Sequence, residues 1–364
     1  MNIIPLAAES LGVRSSATFV ETADVKLLID PGVSLAPMRF GLPPHPLEIK
    51  AMNESWRTIK EHAARADILI ITHYHFDHFD PTEPLVFRDK VLLLKHPKDH
   101  INSSQRERAR FLRKSFGTLP RRVEFADNGT FEFGNTRIRF SSAVPHGPSA
   151  KVGWVVEVSI QEGDRCFLFT SDVQGASLPE HVAFIRSENP DTLYLDGPLT
   201  YMMGQAFSQD DLRASLKNIG GLLETTGVQT IIMDHHLTRD PGWNDVIREL
   251  RASAEKKGKS SIMAETKKKK ETPKIDIFKA WCKACGICVA FCPTGALAKD
   301  EAGRPYVKDI EKCINCGWCE IRCPDFAITV EAKTKGRKRV EVKGGAEEPK
   351  EEEISPERIV TPRQ

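Results

Sequence analysis

Residues 72–78, Thr72-His73-Tyr74-His75-Phe76-Asp77-His78 (THYHFDH), follow directly on the apolar run DILII at 67–71. A run of that kind predicts a buried strand, so the loop begins where the strand ends. Three imidazoles and a carboxylate within six residues cannot all pack against apolar surface. On a tight loop they can converge on metal ions. A lone His-x-His is often incidental, whereas the full His-x-His-x-Asp-His spacing is specific, and it governs how the rest of the chain is read.

One loop supplies four ligands, so a site for two ions needs more from elsewhere. The sequence offers them at the ends of further strands: His146 in AVPHG after the strand at 136–142, Asp172 closing CFLFTSD, and His235 and His236 after VQTIIMD. Other strand candidates are 3–7, 25–30, 67–72, 91–95, 153–160, 166–172, 192–196 and 228–234, bounded by Gly, Pro, Asp and Asn. Helical patterns fit 52–65, 103–116, 178–188, 208–226 and 243–257. Strands clustered early and then alternating with helices predict a layered α/β sandwich.

The set of histidines and aspartates resembles the metallo-β-lactamase fold superfamily over roughly residues 1–255. The resemblance implies a four-layer αββα sandwich. It places His73, His75 and His146 on a first metal, Asp77, His78 and one of His235 or His236 on a second, and Asp172 between both. His235, nearest the strand, is preferred. Asp30 in LLIDPG matches the family's early strand-end aspartate, which supports the metal loop. The segments NIIPLAAESLGVRSSATFVET, TSDVQG and DHHLTRD resemble a mainly archaeal branch of the superfamily, a likeness that names no substrate.

The expected chemistry follows from the ligands. Two divalent ions, zinc for a His/Asp set with manganese or iron as alternatives, lower the pKa of a bridging water to about 7. The hydroxide attacks an ester, lactone or phosphoester, and Asp77 is the expected catalytic residue, orienting it and taking its proton. Flavodiiron proteins share the fold but carry Glu where His75 stands, and the chain has no evident flavin-binding segment, so hydrolysis is the leading expectation. Substrate clues are few. Residues 103–122 hold seven Arg/Lys against one Glu, compatible with a nucleic-acid contact or a solvated helix face. Residues 31–50, rich in Pro, predict a loop near the site, with His45 on the surface.

The segment 275–330 repeats itself. Cys282-x2-Cys285-x2-Cys288-x3-Cys292-Pro293 returns as Cys313-x2-Cys316-x2-Cys319-x3-Cys323-Pro324. This is the spacing of ferredoxins with two [4Fe-4S] clusters, in which the last cysteine of each run serves the other cluster. Cluster one would use Cys282, Cys285, Cys288 and Cys323; cluster two would use Cys313, Cys316, Cys319 and Cys292. Gly286 and Gly317 would let backbone N–H groups approach cluster sulfurs. Residues 263–330 resemble the small ferredoxin-like subunit of 2-oxoacid:ferredoxin oxidoreductases, the 2-oxoglutarate type above all. That implies a small α+β bacterial-type ferredoxin domain, with an external ferredoxin or oxidoreductase subunits as redox partners. Cys166, mid-strand, is expected to be a buried small hydrophobe.

At 364 residues, with 40% hydrophobic and 28% charged, the chain has the makings of two globular domains. No apolar run reaches the length of a membrane span, and the N-terminus lacks the basic start of a signal peptide, so a cytoplasmic protein is expected. Net charge is +2, but residues 251–275 alone carry nine Lys/Arg against three Glu. A basic flexible linker is therefore expected at 256–274, and a charged disordered tail at 331–364. Met263, followed by Ala-Glu-Thr and four lysines, reads as the start of a separate protein: SIMAETKKKKE at 261–271 would then be a seam between a hydrolase and an electron carrier.

Overall fold

In the first unit, strands that bury both faces need a layer on each side, and alternation of side chains supplies it. The structure, a computed structural model, describes residues 1–38, 43–262, 274–314, 316–325 and 327–331. The chain divides into two compact units, Met1–Glu265 and Thr266–Ser355 in the main.

Two sheets form the first unit. One orders β1 (Asn2–Pro5), β2 (Thr18–Glu21), β3 (Lys26–Ile29), β4 (Ile68–Ile71), β5 (Val91–Leu94) and β6 (Arg122–Phe125) side by side, antiparallel through β3 and parallel from β3 onward. The other contains β7 (Thr130–Phe133), β8 (Thr136–Phe140), β11 (Val158–Glu162), β12 (Arg165–Phe169), β13 (Thr192–Asp196), β14 (Thr230–Asp234) and β15 (Ser260–Ile262). It is antiparallel up to β12 and parallel from β12 to β15. A two-stranded ribbon of β9 (Val144–Pro145) and β10 (Trp154–Val155) lies between β8 and β11 in the chain.

Odd and even strand positions separate the layers. Ile68, Ile70, Val91 and Leu93 share one cluster with Ile138, Ile160, Phe167 and Phe169 of the other sheet. Their neighbours Leu69, Ile71, Leu92 and Leu94 pack with Trp56 and Ile59 of α1 (Pro46–Arg65) and Ala109 and Leu112 of α2 (Ser103–Phe116). On the far side, Leu168, Leu193 and Ile231 meet Val182 and Ile185 of α3 (Pro179–Glu188) and Ile219 and Leu222 of α4 (Gln209–Thr225). The result is the αββα sandwich expected.

Several expectations need correction. The sequence reading does not anticipate the edge strands β6, β7 and β15 or the inner strand β2, because each is three or four residues long and β6 and β7 are largely exposed and carry charge. Helix α1 starts at Pro46, inside the stretch read as loop. His45 caps it: its Nδ1 accepts from the Leu47 N–H at 3.2 Å, while Glu48 accepts from the His45 N–H at 2.7 Å. The helix expected over 243–257 breaks at Ile247 into α5 (Trp243–Val246) and α6 (Arg248–Lys256). Residues 256–262, expected as linker, belong to the first unit: Lys256 ends α6, and β15 adds to the edge of β14. Backbone pairing decides that segment, and charge composition does not report it. The seam at Met263, the lysine run and the tail beyond Glu331 lie outside the described residues.

In the second unit β16 (Lys274–Ile277) pairs with β19 (Ile328–Glu331), and β17 (Leu297–Lys299) with β18 (Pro305–Val307). Two one-turn helices, α7 (Ile287–Ala290) and α8 (Trp318–Ile321), complete it around Cys288, Leu297, Cys319 and Ile328. Gly286 and Gly317 precede the helices at φ 72° and 70°. That left-handed turn explains the glycines more directly than approach to a cluster. Among the described residues no helix is long and apolar enough to cross a membrane.

Candidate metal centres

All but one of the histidines and aspartates in question sit just past the C-terminal ends of parallel strands: Asp30 after β3, the loop 72–78 after β4, Asp172 after β12, His235 and His236 after β14. Parallel strands end together, so residues far apart in sequence meet at one rim. His146 comes instead from the turn after β9, its N–H held by the Gly153 carbonyl at 2.9 Å.

Asp30 fixes the metal loop. Its carboxylate, fully buried at φ 48°, accepts the Thr72 N–H at 2.8 Å and the Thr72 hydroxyl at 2.6 Å, and lies 2.9 Å from His78 Nδ1. Two residues on, Gly32 presses against the loop so closely that a Cβ there would fall 2.1 Å from the Phe79 backbone nitrogen. His73 Nδ1 is flanked by the hydroxyls of Thr72 and Ser171, at 3.3 and 3.2 Å. Such contacts hold the outer nitrogen of each ring and aim the other inward.

Inward, the groups converge. His73, His75, His146 and Asp172 place one potential ligand atom each within 4.8 Å of one another, and so do Asp77, His78 and His235. Asp172 stands between the two groups: its Oδ2 is 3.6 Å from His73 Nε2 and 3.2 Å from both His146 Nε2 and His235 Nε2, and its Oδ1 is 3.3 Å from His78 Nε2. Several of these approaches are not hydrogen bonds. His78 Nε2, His146 Nδ1 and Nε2, and Asp172 Oδ1 are buried without a hydrogen-bond partner. Buried polar atoms are normally paired, so nitrogen and oxygen lone pairs aimed at shared points and not at each other fit a pair of cations.

Electrostatics divides these histidines into two that stay neutral and two that would release a proton on binding a metal ion. Burial pushes His73 well below the usual imidazole range and His75 down to about 3, which keeps both neutral, as metal ligands must be. For His78 and His235 burial is outweighed by Asp172, joined by Asp30 and Asp77 around His78 and by Glu9 beside His235, and both are raised. Asp77 and Asp172 are lowered despite burial, because His78 and His235 face each of them.

The two candidates for the last ligand separate clearly. His235, at φ 61°, turns Nε2 toward Asp172 and, at 3.8 Å, Asp77, while its Nδ1 rests 2.8 Å from Glu9. His236 lies within reach of Asp172 but gives Nδ1 to Asp196 at 2.9 Å and does not join Asp77 and His78. Glu9 also holds Arg239, whose Nη2 lies 3.1 Å from His235 Nε2 and whose Nη1 lies 3.2 Å from the Tyr201 hydroxyl. Glu9, Asp196, Arg239 and Tyr201 were not singled out from the sequence. Asp196, closing TLYLD as Asp172 closes CFLFTSD, was the one with a readable signal. Cys166 is buried on Ser159, its thiol pushed up by burial, and lies apart from this rim.

In the second unit the cysteines sort into two cavities. One is lined by Cys282, Cys285, Cys288 and Cys323, the other by Cys292, Cys313, Cys316 and Cys319. Each therefore takes three thiols from one run and one from the other, the pairing that the repeat implies. Burial would raise the Cys292 thiol, but the backbone N–H groups of Leu297, Thr294 and Ala296 outweigh it and favour the thiolate. The Ala284 and Ala327 N–H groups donate to Cys282 and Cys323 at 3.4 and 3.2 Å.

Comparison with known proteins places both units. Residues 11–223 match the family model of the metallo-beta-lactamase superfamily, and residues 281–327 that of the 4Fe-4S dicluster domain. A UPF0282 protein of Korarchaeum cryptofilum is 47% identical over 251 residues, covering 69% of this chain and 83% of its own. One from Metallosphaera sedula is 48% identical over 263 residues, covering 71% and 84%. Among solved structures, an isothiocyanate hydrolase from Delia radicum gut bacteria aligns with 16% identity and TM-score 0.43, over 69% of this chain and 94% of that one.

Proposed function

The chain belongs to the metallo-beta-lactamase superfamily, among its UPF0282 proteins, and from that premise we propose that its first unit is a two-metal hydrolase. His73, His75 and His146 would hold one divalent ion and Asp77, His78 and His235 the other, with Asp172 shared. The His/Asp donor set favours zinc, with manganese or iron as alternatives. Bound there, the ions would acidify a water and polarise an ester, lactone or phosphoester oxygen of a small-molecule substrate.

The chain's own residues do the rest. Asp30, Thr72, Ser171 and Glu9 orient the imidazoles. Asp77, with 17% of its side chain exposed against 3% for Asp172, is the cluster carboxylate open to a reacting water, and it orients that water and accepts its proton. The observation that carries the reading is the set of buried, unpartnered ligand atoms on His78, His146 and Asp172. The test is turnover of ester, lactone and phosphoester substrates by metal-loaded full-length protein. Asp77→Asn should cost roughly a hundredfold or more in kcat. Turnover equal to that of the parent protein would remove Asp77 from the chemistry.

The second unit carries the 4Fe-4S dicluster domain, and we assign cluster one to Cys282, Cys285, Cys288 and Cys323 and cluster two to Cys313, Cys316, Cys319 and Cys292. Its role would be electron transfer to or from a protein partner, a ferredoxin or oxidoreductase subunit. A second reading has a specific support. The UPF0282 matches span 251 and 263 residues, which the first unit alone accommodates. In that reading the second unit is the electron-transfer subunit of a 2-oxoacid:ferredoxin oxidoreductase-type complex, and the first unit is a passenger or a separately translated protein. Intact mass of the native protein decides: one species near 40.7 kDa supports the fusion, and a species starting at Met263 supports the seam.

A further inference from the structure

Three arginines approach the His/Asp cluster, and only one of them is neutralised. Arg239 is paired with Glu9, 2.5 Å away. Arg14, on the loop before β2, is half-buried, and the two residues after it touch the site: the Ser15 carbonyl lies 3.3 Å from His235 Nδ1 and the Ser16 hydroxyl 3.3 Å from His78 Nδ1. Arg14 forms no ion pair among the described residues, and its Nε is buried with no hydrogen-bond acceptor. Arg108, on α2, also half-buried, spans the Phe76 ring at 5.0 Å and donates to the Tyr74 carbonyl at 3.4 Å. It too has no carboxylate partner among the described residues, and its charge is felt by both His75 and Asp77.

A guanidinium withdrawn from water and left unpaired is costly, and a ligand anion removes the cost. Two divalent ions would bring four positive charges against the three carboxylates Asp30, Asp77 and Asp172, so two further unpaired guanidiniums leave the filled site strongly positive. We propose that Arg14 and Arg108 form an anion-binding pair for a phosphoryl group, and that the substrate is a phosphoester. This narrows, and rests on, the hydrolase reading above. A phosphoryl group suits the arrangement better than a carboxylate. A carboxylate's two oxygens can be consumed by the metals, whereas a phosphoryl group has further oxygens for guanidiniums arriving from two separate elements.

Inorganic phosphate is the probe, titrated calorimetrically into full-length protein, metal-loaded and metal-stripped, with metal content measured on each sample. Arg14→Gln and Arg108→Gln should each weaken phosphate binding roughly tenfold, the scale of one charge-assisted hydrogen bond, with metal content and Tm unchanged. Arg14→Lys and Arg108→Lys should recover part of the loss, and acetate at equal concentration should not displace phosphate. Unchanged phosphate affinity in both Gln variants, or equal displacement by acetate, would overturn the proposal.

Should the protein retain no divalent metal, the hydrolase reading fails separately. Phosphate binding by the metal-free protein that both Gln variants abolish would still support the pair, and its absence would refute it. A measurement without variants guards against misfolding: phenylglyoxal labelling of the unmodified chain, read by peptide mass. Phosphate should protect Arg14 and Arg108, and equal labelling with and without phosphate would contradict the assignment.

Discussion

His235 and His236 are adjacent in sequence, and nearness to the strand is all that the sequence offers for preferring His235. What separates them is a pair of carboxylates from distant segments: Glu9 holds the outer nitrogen of His235, and Asp196 holds that of His236. Accordingly His235→Ala should lose about one divalent ion per chain while His236→Ala keeps both, read by metal analysis of the purified variants. The opposite pattern would assign the ligand to His236. Glu157 offers a second prediction. It is fully buried with both carboxylate oxygens unpartnered, and burial raises its pKa well above the usual range. A raised carboxyl contributes stability that is full below the unfolded pKa and lost as pH rises through the folded one. Glu157→Gln should therefore stabilise the protein at pH 8 by about 1–3 kcal/mol, with a smaller gain at pH 4.5, in urea unfolding. A gain independent of pH would mean that the carboxyl is not neutral in the fold.

At the scale of elements, the long apolar strands and the strand-end positions of the site residues were legible, because burial on two faces leaves a continuous apolar run and parallel strands share one rim. Short amphipathic edge strands such as β6 and β7 were not, since four residues with alternating charge carry little signal. Nor were the supports. His181 on α3 anchors the β9 turn that carries His146: its Nε2 lies 2.9 Å from the Pro145 carbonyl. Burial pushes His181 down to about 4. The depressed pKa contributes stability that is present above the unfolded value near 6.5 and is lost as pH falls toward 4. Metal-stripped protein should lose about 2 kcal/mol between pH 7 and 5 through this group, a loss that His181→Gln abolishes. An identical drop in both proteins would remove His181 from the account. Gly32→Ala tests the other support. A Cβ at that position collides with backbone that has no room to move, so the variant should bind metal at least tenfold more weakly or unfold at lower temperature. An unchanged protein would show that the close approach is not required.

Across the whole molecule, the cysteine repeat was the most legible feature, because its spacing anticipates both the 4Fe-4S dicluster domain and the sorting of the eight thiols into two cavities, three from one run and one from the other. The boundary was the least legible. Charge pointed to a linker from 256, whereas α6 and β15 extend the first unit to Ile262. Each unit closes its own core, so each is expected to keep its metal sites without the other. A site-specific protease sequence inserted within 263–273, once cleaved, should leave the metal content of both fragments unchanged. Loss of iron or of the divalent ions on cleavage would show interdependence. The measurement that bears most directly on the central claim is metal and acid-labile sulfide content per chain, compared between the full-length protein and Asp172→Ala. The account predicts about two divalent ions beside about eight sulfides in the parent, and loss of both divalent ions with the sulfides intact in the variant. Retention of the divalent ions without Asp172, or their absence from a parent chain with its full sulfide, would contradict it.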